Sequence, residues 1–338
     1  MVANRGSSNV HEDTALDPLW VLLPLLASGL GAATQDNWID KSPHRTGFIT
    51  VNRVRLHYLD WGGSGETMLF LHGLGDTPHI FDNLAPKFTN QFRVLGLTRR
   101  GHGQSENPET GYDTATLVED IRQFLDALKI ERVVLVGRSI AGDELSRFAV
   151  VHPDRVIKLV YLDAAYDRTR MPEIMKQQPP ELMPTKTDSE SLDGMRRWVK
   201  RMNKSWSEAW EATLREHFSS DGSILPNAAM TGRAVNLVAE GSLQSHADYA
   251  KIRAPVLCFA VVGFTSKVLD LVKALPDPKR ERVELFLSSC RQYMQQELEH
   301  FRKEIPDRRV IELADTDHHC FIDRESDVVR EMRRFLAP

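Results

Sequence analysis

The sequence predicts an α/β fold: a mostly parallel eight-stranded sheet with helices on both faces and a helical cap inserted late in the chain. Three observations predict it. Short, continuous, β-branched apolar runs alternate with amphipathic stretches, the pattern of buried parallel strands joined by crossover helices. One run, RVVLVG, leads into Gly137-Arg138-Ser139-Ile140-Ala141-Gly142, a glycine-flanked serine directly before a helix. Between 168 and about 250 the strand pattern stops, and the residues become rich in Met, Lys, Glu, Gln and Trp.

Taken in order, residues 1–40 form a leader outside the predicted core. Within it, 19–33 (LWVLLPLLASGLGAA) is an uncharged apolar run, and Gly31 and Ala33 would suit a small-x-small cleavage site. The segment before it, however, offers one cation, Arg5, against Glu12, Asp13 and Asp17. Two readings stay open: a signal peptide of a secreted or periplasmic protein, or the N-terminal segment of a cytoplasmic one. The run is shorter than the roughly 20 residues of a membrane span, and no second candidate span follows.

The core is expected from 41–167 and 251–338. Residues 47–60 read as two strands turning at Asn52-Arg53, and Gly62, Gly63 and Gly65 break the chain before the buried run MLFLHG. The next strand, 92–98, ends in R-R-G-H-G-Q-S. A helix over 114–129 follows, with Leu117, Ile121, Phe124, Leu125 and Leu128 on one face. Strands at 132–137 and 156–165 flank a helix at 140–151. In the 168–250 insertion, Met195, Trp198, Met202, Trp206, Ala209, Trp210 and Leu214 recur at helical spacing. Such a face either packs on the core or lines an apolar substrate pocket. Strand character returns at 255–263 and 308–313, with helices near 279–304 and 325–336.

With 338 residues, 41% of them hydrophobic, the chain can bury a large core. Its net charge of -4, with both signs mixed along the length, provides no basic stripe for nucleic acid. Cys258, Cys290 and Cys320 are too few and scattered for a disulfide framework or a thiolate metal site and read as free thiols. Composition leaves the oligomeric state open.

The serine turn carries the chemistry. A nucleophilic hydroxyl must stand above the sheet while its backbone turns sharply, so small residues are needed around it. The alternative is an ordinary strand-to-helix turn with a capping serine. Here the second small residue is Ala141, with Gly142 one place later. At a helix start, the Ile140 amide can face a developing oxyanion. A second donor is expected after an earlier strand, and in L-H-G-L-G-D that is the Leu74 amide. His72 in the same motif reads as structural, holding the loop.

In combination, L-H-G-L-G-D, T-R-R-G-H-G-Q-S at 98–105, V-L-V-G-R-S-I-A-G-D-E-L-S, L-V-Y-L-D-A-A-Y-D and T-D-H-H-C-F-I resemble the α/β-hydrolase superfamily over roughly 47–336. D-W-G-G-S-G at 60–65 and Y-L-D-A-A-Y-D further resemble a bacterial group described as α/β-fold hydrolases. The resemblance implies a base after the last strand, where His318 and His319 stand, and aligns His318 with it. It places the acid, in most relatives, after the strand at 255–263, but V-V-G-F-T-S-K-V holds no carboxylate and Asp270 comes too late. Some relatives carry the acid one sheet strand earlier, which here is Asp163, with Asp167 as the fallback.

A serine nucleophile argues against epoxide hydrolase and haloalkane dehalogenase chemistry, which needs a carboxylate. The expectation is a serine hydrolase acting on a small, moderately apolar carboxylic ester through an acyl-serine: Ser139 attacks, His318 shuttles the proton, Asp163 orients it, and the Leu74 and Ile140 amides hold the oxyanion. No metal or organic cofactor is implied. The same triad would serve a carbon–carbon bond hydrolase or a perhydrolase, and a non-catalytic ligand receptor on the same fold is the reading from another class.

Overall fold

The computed structural model describes residues 38–219, 221–225 and 232–337, so the leader's apolar run lies outside the described residues. The first two strands, β1 (Arg45–Val51) and β2 (Val54–Gly62), form a hairpin. Asn52 and Arg53 take φ values of 46° and 62°, the two left-handed residues that a two-residue hairpin turn needs to match strand twist. They are followed by β3 (Thr67–Leu71), β4 (Arg93–Leu97), β5 (Val133–Arg138), β6 (Val156–Leu162), β7 (Val256–Val262) and β8 (Arg308–Ala314). The sheet runs β1-β2-β4-β3-β5-β6-β7-β8; β2 is antiparallel to both neighbours and the remaining pairs are parallel.

Helices in the core are α1 (Thr114–Ala127) and α2 (Ala141–Val151), then, beyond the insertion, α8 (Ser266–Lys273), α9 (Lys279–Glu304), α10 (Cys320–Asp323) and α11 (Glu325–Leu336). The insertion between β6 and β7 carries α3 (Met171–Met175), α4 (Lys186–Ser189), α5 (Leu192–Met202), α6 (Glu208–Arg215) and α7 (Arg233–Ser242). Its strand-like pairing among the described residues is the isolated bridge between Phe218 and Ile224.

Period-two alternation sorts the strand side chains to two faces, and each face finds its own helices. Leu69, Leu71, Leu135, Leu159 and Cys258 pack under α1, α2 and the last turns of α9. Met68, Phe70, Val136, Val160 and Phe259 pack under α11, α5 and α6. Burial on both faces is why these strands read as continuous apolar runs. It also keeps parallel strands in register, so that the loops after β3, β5, β6, β7 and β8 meet at one edge of the sheet.

The Met and Trp periodicity resolves differently from a single helix. The chain breaks at 203–207, so Met195 and Trp198 lie on α5 and Trp210 and Leu214 on α6. Ser191 caps α5 by accepting from the Gly194 amide at 3.1 Å, which fixes where the first of the two segments begins. Met195, Val199, Trp210 and Leu214 join the core. The packing reading therefore holds for this face, and the pocket-lining reading passes to other residues of the insertion.

Candidate active site

Ser139 follows β5 with φ 54°, a left-handed backbone that costs a non-glycine residue strain and lifts the side chain off the sheet. The flanking small residues are explained by contact. A Cβ on Gly137 would lie 2.5 Å from Leu145 Cδ1, and one on Gly142 would lie 1.8 Å from the Ala164 carbonyl oxygen. Thus Gly142, one place beyond the usual position, is where α2 crosses closest to the end of β6. The Ser139 amide donates to the Leu162 carbonyl at 3.4 Å, tying the turn to the neighbouring strand.

The loop after β3 lies against this turn. Gly73 has no room for a side chain, since its Cβ would be 2.2 Å from Arg138 Nη1. The Leu74 and Ile140 side chains share one small apolar cluster with Ala234 and Val238 of α7, so the two residues expected to supply oxyanion amides are neighbours. His72 is fully buried; its Nε2 accepts from the Arg99 amide at 3.0 Å and its Nδ1 donates to the Gly73 carbonyl at 2.8 Å. Burial, ahead of Arg99, drives its pKa well down, so this imidazole is a neutral loop brace. Arg99 grips Glu144 of α2 through two bonds of 2.7 Å and the His72 carbonyl at 2.9 Å. The T-R-R-G-H-G-Q-S motif thus clamps the donor loop to the helix that follows Ser139.

Asp163, at the end of β6, also has a positive φ, 49°. Its Oδ2 lies 2.5 Å from His318 Nδ1. Its Oδ1 accepts from the Val261 amide at 3.0 Å and from the Tyr166 hydroxyl. The fallback, Asp167, caps Thr169 and meets His246, and Asp270, already too late in the chain, pairs with Lys273 at the surface. The residues after β7, where most relatives would place the acid, are Gly263, Phe264 and Thr265; β7 contributes instead the amide that orients Asp163.

His318 and His319 separate cleanly. The His318 side chain is 42% exposed and lines a cavity together with Ser139. Protein still crowds the ring: burial, then Arg138, lowers its pKa below 6.5, opposed by Asp163. His319 turns inward, its ring 4.2 Å from that of Trp210, with burial and then Arg138 pushing its pKa down to about 3. Arg138 Nη1 donates to Asp76 at 2.5 Å and Nη2 faces His319 Nδ1 at 3.4 Å. Burial alone would raise Asp76, but Arg138 and His319 hold it well below its ordinary value.

The cavity holds about 330 Å³, near the low end of small-molecule sites. Met171, Ile174 and Met175 from the insertion face Phe264 and Val268 of the β7–α8 region and Phe286 of α9 across it. A neighbouring cavity of about 390 Å³ shares Asp163, Tyr166 and Phe264 but reaches neither Ser139 nor His318, so the first is the candidate site.

Three features went unread in the sequence. Arg168 lines the cavity and pairs with buried Asp143 at 2.9 Å, and burial pushes Asp143 up to about 7 despite that partner. Asp317 lines it too, pushed up to about 7 by burial and by Asp323. The Arg138–Asp76 pair was signalled by an arginine immediately before the nucleophile: so close to the sheet it needed a buried anion, and L-G-D supplies one.

The sequence profile of the alpha/beta hydrolase fold matches residues 66–279. An uncharacterized protein of Mycobacterium tuberculosis is 34% identical over 125 residues, 37% of this chain and 36% of the relative. The 2-(acetamidomethylene)succinate hydrolase of Mesorhizobium japonicum is 31% identical over 115 residues, 34% of this chain and 41% of the relative. The chain therefore spans well under half the length of these curated relatives. The crystal structure of an E-2-(acetamidomethylene)succinate hydrolase superposes with a TM-score of 0.60 at 20% identity, covering 87% of this chain and 99% of that one.

Proposed function

We propose that this chain, which belongs to the alpha/beta hydrolase fold family, is a serine hydrolase that cleaves small carboxylic esters through an acyl-serine. One observation carries the reading: His318, held by Asp163 at 2.5 Å through Nδ1, shares a cavity with Ser139.

With Nδ1 committed to Asp163, Nε2 is the nitrogen left to take a proton. Ser139 Oγ adds to the ester carbonyl as its proton passes to His318 Nε2. The carbonyl oxygen becomes an oxyanion, which the Ile140 and Leu74 amides stabilise. Collapse expels the alkoxide, which leaves as an alcohol with the His318 proton. Water then adds to the acyl-serine, again giving its proton to His318, and the acid departs as Ser139 regains its own. The sulfur-containing and aliphatic walls, Met171, Ile174, Met175 and Val268, favour a substrate apolar on one side. In this reading residues 168–250 act as a cap over the cavity, contributing Arg168, Met171, Ile174, Met175 and Gln178 to its lining.

The test is turnover of aryl esters of graded acyl length by wild type and Ser139→Ala. Hydrolysis of the shorter members, abolished by the substitution in folded protein, supports the reading. No turnover at any acyl length would favour a ligand receptor on the same fold.

A further inference from the structure

Asp40, His44, His79 and Asp82 bring one ligand atom each within 4.8 Å of one another, away from the cavity that holds Ser139. Asp40 and His44 lie on the segment entering β1. His79 and Asp82 belong to the 3-10 turn Pro78–Phe81 and its C-cap, where residues three apart stack on one side. The groups sit close together: His79 Nδ1 is 2.8 Å from Asp82 Oδ2 and 3.3 Å from Asp40 Oδ2, and His44 Nδ1 is 3.4 Å from the other Asp82 oxygen, Oδ1. A tetrahedron with metal–ligand bonds of about 2.0–2.1 Å has edges of about 3.3 Å.

His44 Nδ1 is buried, in a side chain only 10% exposed, and makes no hydrogen bond of good geometry. A buried polar atom without a hydrogen bond is costly, and this one faces Asp82 Oδ1 at 3.4 Å while Nε2 of the same ring lies 3.8 Å from Asp40 Oδ2. The surroundings are those that orient metal ligands. Asp82 Oδ1 accepts from Trp61 Nε1 at 3.0 Å and from Ser42 Oγ at 2.7 Å. His79 presents its far nitrogen, Nε2, to Glu216 Oε1 at 3.5 Å, the outer carboxylate that commonly fixes a ligating imidazole. Asp40, Ser42 and Asp82 also line an open groove of about 550 Å³, which supplies an entry path.

We infer that Asp40, His44, His79 and Asp82 form a binding site for one zinc ion. Two imidazoles and two carboxylates suit zinc in charge and donor type: the pair of carboxylates balances the dication, and the nitrogens disfavour magnesium and calcium. With four protein ligands the site is closed, hence structural rather than catalytic. The ion fastens the segment before β1 to the turn that follows the Leu74 loop. Nothing in this inference depends on the proposed ester hydrolysis.

The experiment uses untagged full-length chain stripped with a chelator and titrated with zinc chloride alone, followed by calorimetry and elemental analysis. One zinc per chain and a rise in Tm are expected. His44→Gln removes a ligand atom, so the variant should bind zinc more than about 100-fold more weakly; its stripped form, which also loses the His44 contacts with Asp40 and Asp82, is compared with stripped wild type by melting to separate that loss from zinc binding. Glu216→Gln, which alters only the outer partner, should weaken binding by about 10–100-fold. Zinc stoichiometry near zero in wild type, or affinity unchanged in His44→Gln, overturns the site and leaves His79 with Asp40 and Asp82 as an ion-pair cluster only.

Discussion

Asp163→Asn is the substitution whose consequence the geometry defines most sharply. Asp163 Oδ1 faces two donors, the Val261 amide at 3.0 Å and the Tyr166 hydroxyl, and a backbone N–H can only donate. An asparagine there must keep its oxygen on that side, which turns its NH2 toward His318 Nδ1. That nitrogen then has to accept, so the proton moves to Nε2, and His318 can no longer take one from Ser139. A triad locked in the wrong tautomer loses about 10,000-fold in kcat, or about 5.4 kcal/mol at about 1.36 kcal/mol per decade. The fold keeps its contacts, so the thermal midpoint should stay within a few degrees of wild type. The assay is aryl-ester kcat beside a melting curve, with Asp167→Asn as control because Asp167 is engaged by Thr169 and His246. An Asp163→Asn variant that keeps a tenth or more of wild-type kcat would refute the reasoning.

Other predictions follow from neighbouring contacts. Because burial and Arg138 lower the His318 pKa, the base stays neutral into acid, and the acid limb of kcat/KM should have its midpoint below pH 6.5; Asp317→Asn, which removes the cavity carboxyl pushed up to about 7, should leave that limb in place. Arg138→Met strips Asp76 of its buried partner and should cost about 3–5 kcal/mol in denaturant unfolding, with much of the loss recovered in the Asp76→Asn double variant. Gly142→Ala forces a Cβ against the Ala164 carbonyl and should lower stability by about 1–3 kcal/mol or more, read as a drop in Tm.

Much of the fold was legible because local rules and tertiary demands agree in it. Leu69 and Phe70 lie side by side in the sequence and face opposite ways, each into its own helical layer, so an uninterrupted apolar run could be read as a doubly covered strand. The turn at Asn52-Arg53 and the long helix through Lys279–Glu304 were similarly self-announcing. Periodicity overreached at Trp206, because spacing carries across the 203–207 break without registering it. At the candidate site, the adjacency of Asp163 and His318 followed from resemblance and chain order and is matched by their 2.5 Å contact. The contacts of Arg168 with Asp143, of His44 with Asp82, and of His79 with Asp40 join residues far apart in sequence. No spacing rule encodes these, since they exist only once the sheet and insertion bring their elements together.

The central claim is that Ser139 is a nucleophile activated by His318, and covalent capture tests it most directly. A fluorophosphonate probe, incubated with folded protein that turns over an aryl ester and mapped by peptide mass spectrometry, should add one label per chain on Ser139. That label should disappear in Ser139→Ala and fall sharply in His318→Gln, while His319→Gln still labels. Active protein that takes up no label, or takes it up at a residue other than Ser139, would contradict the account.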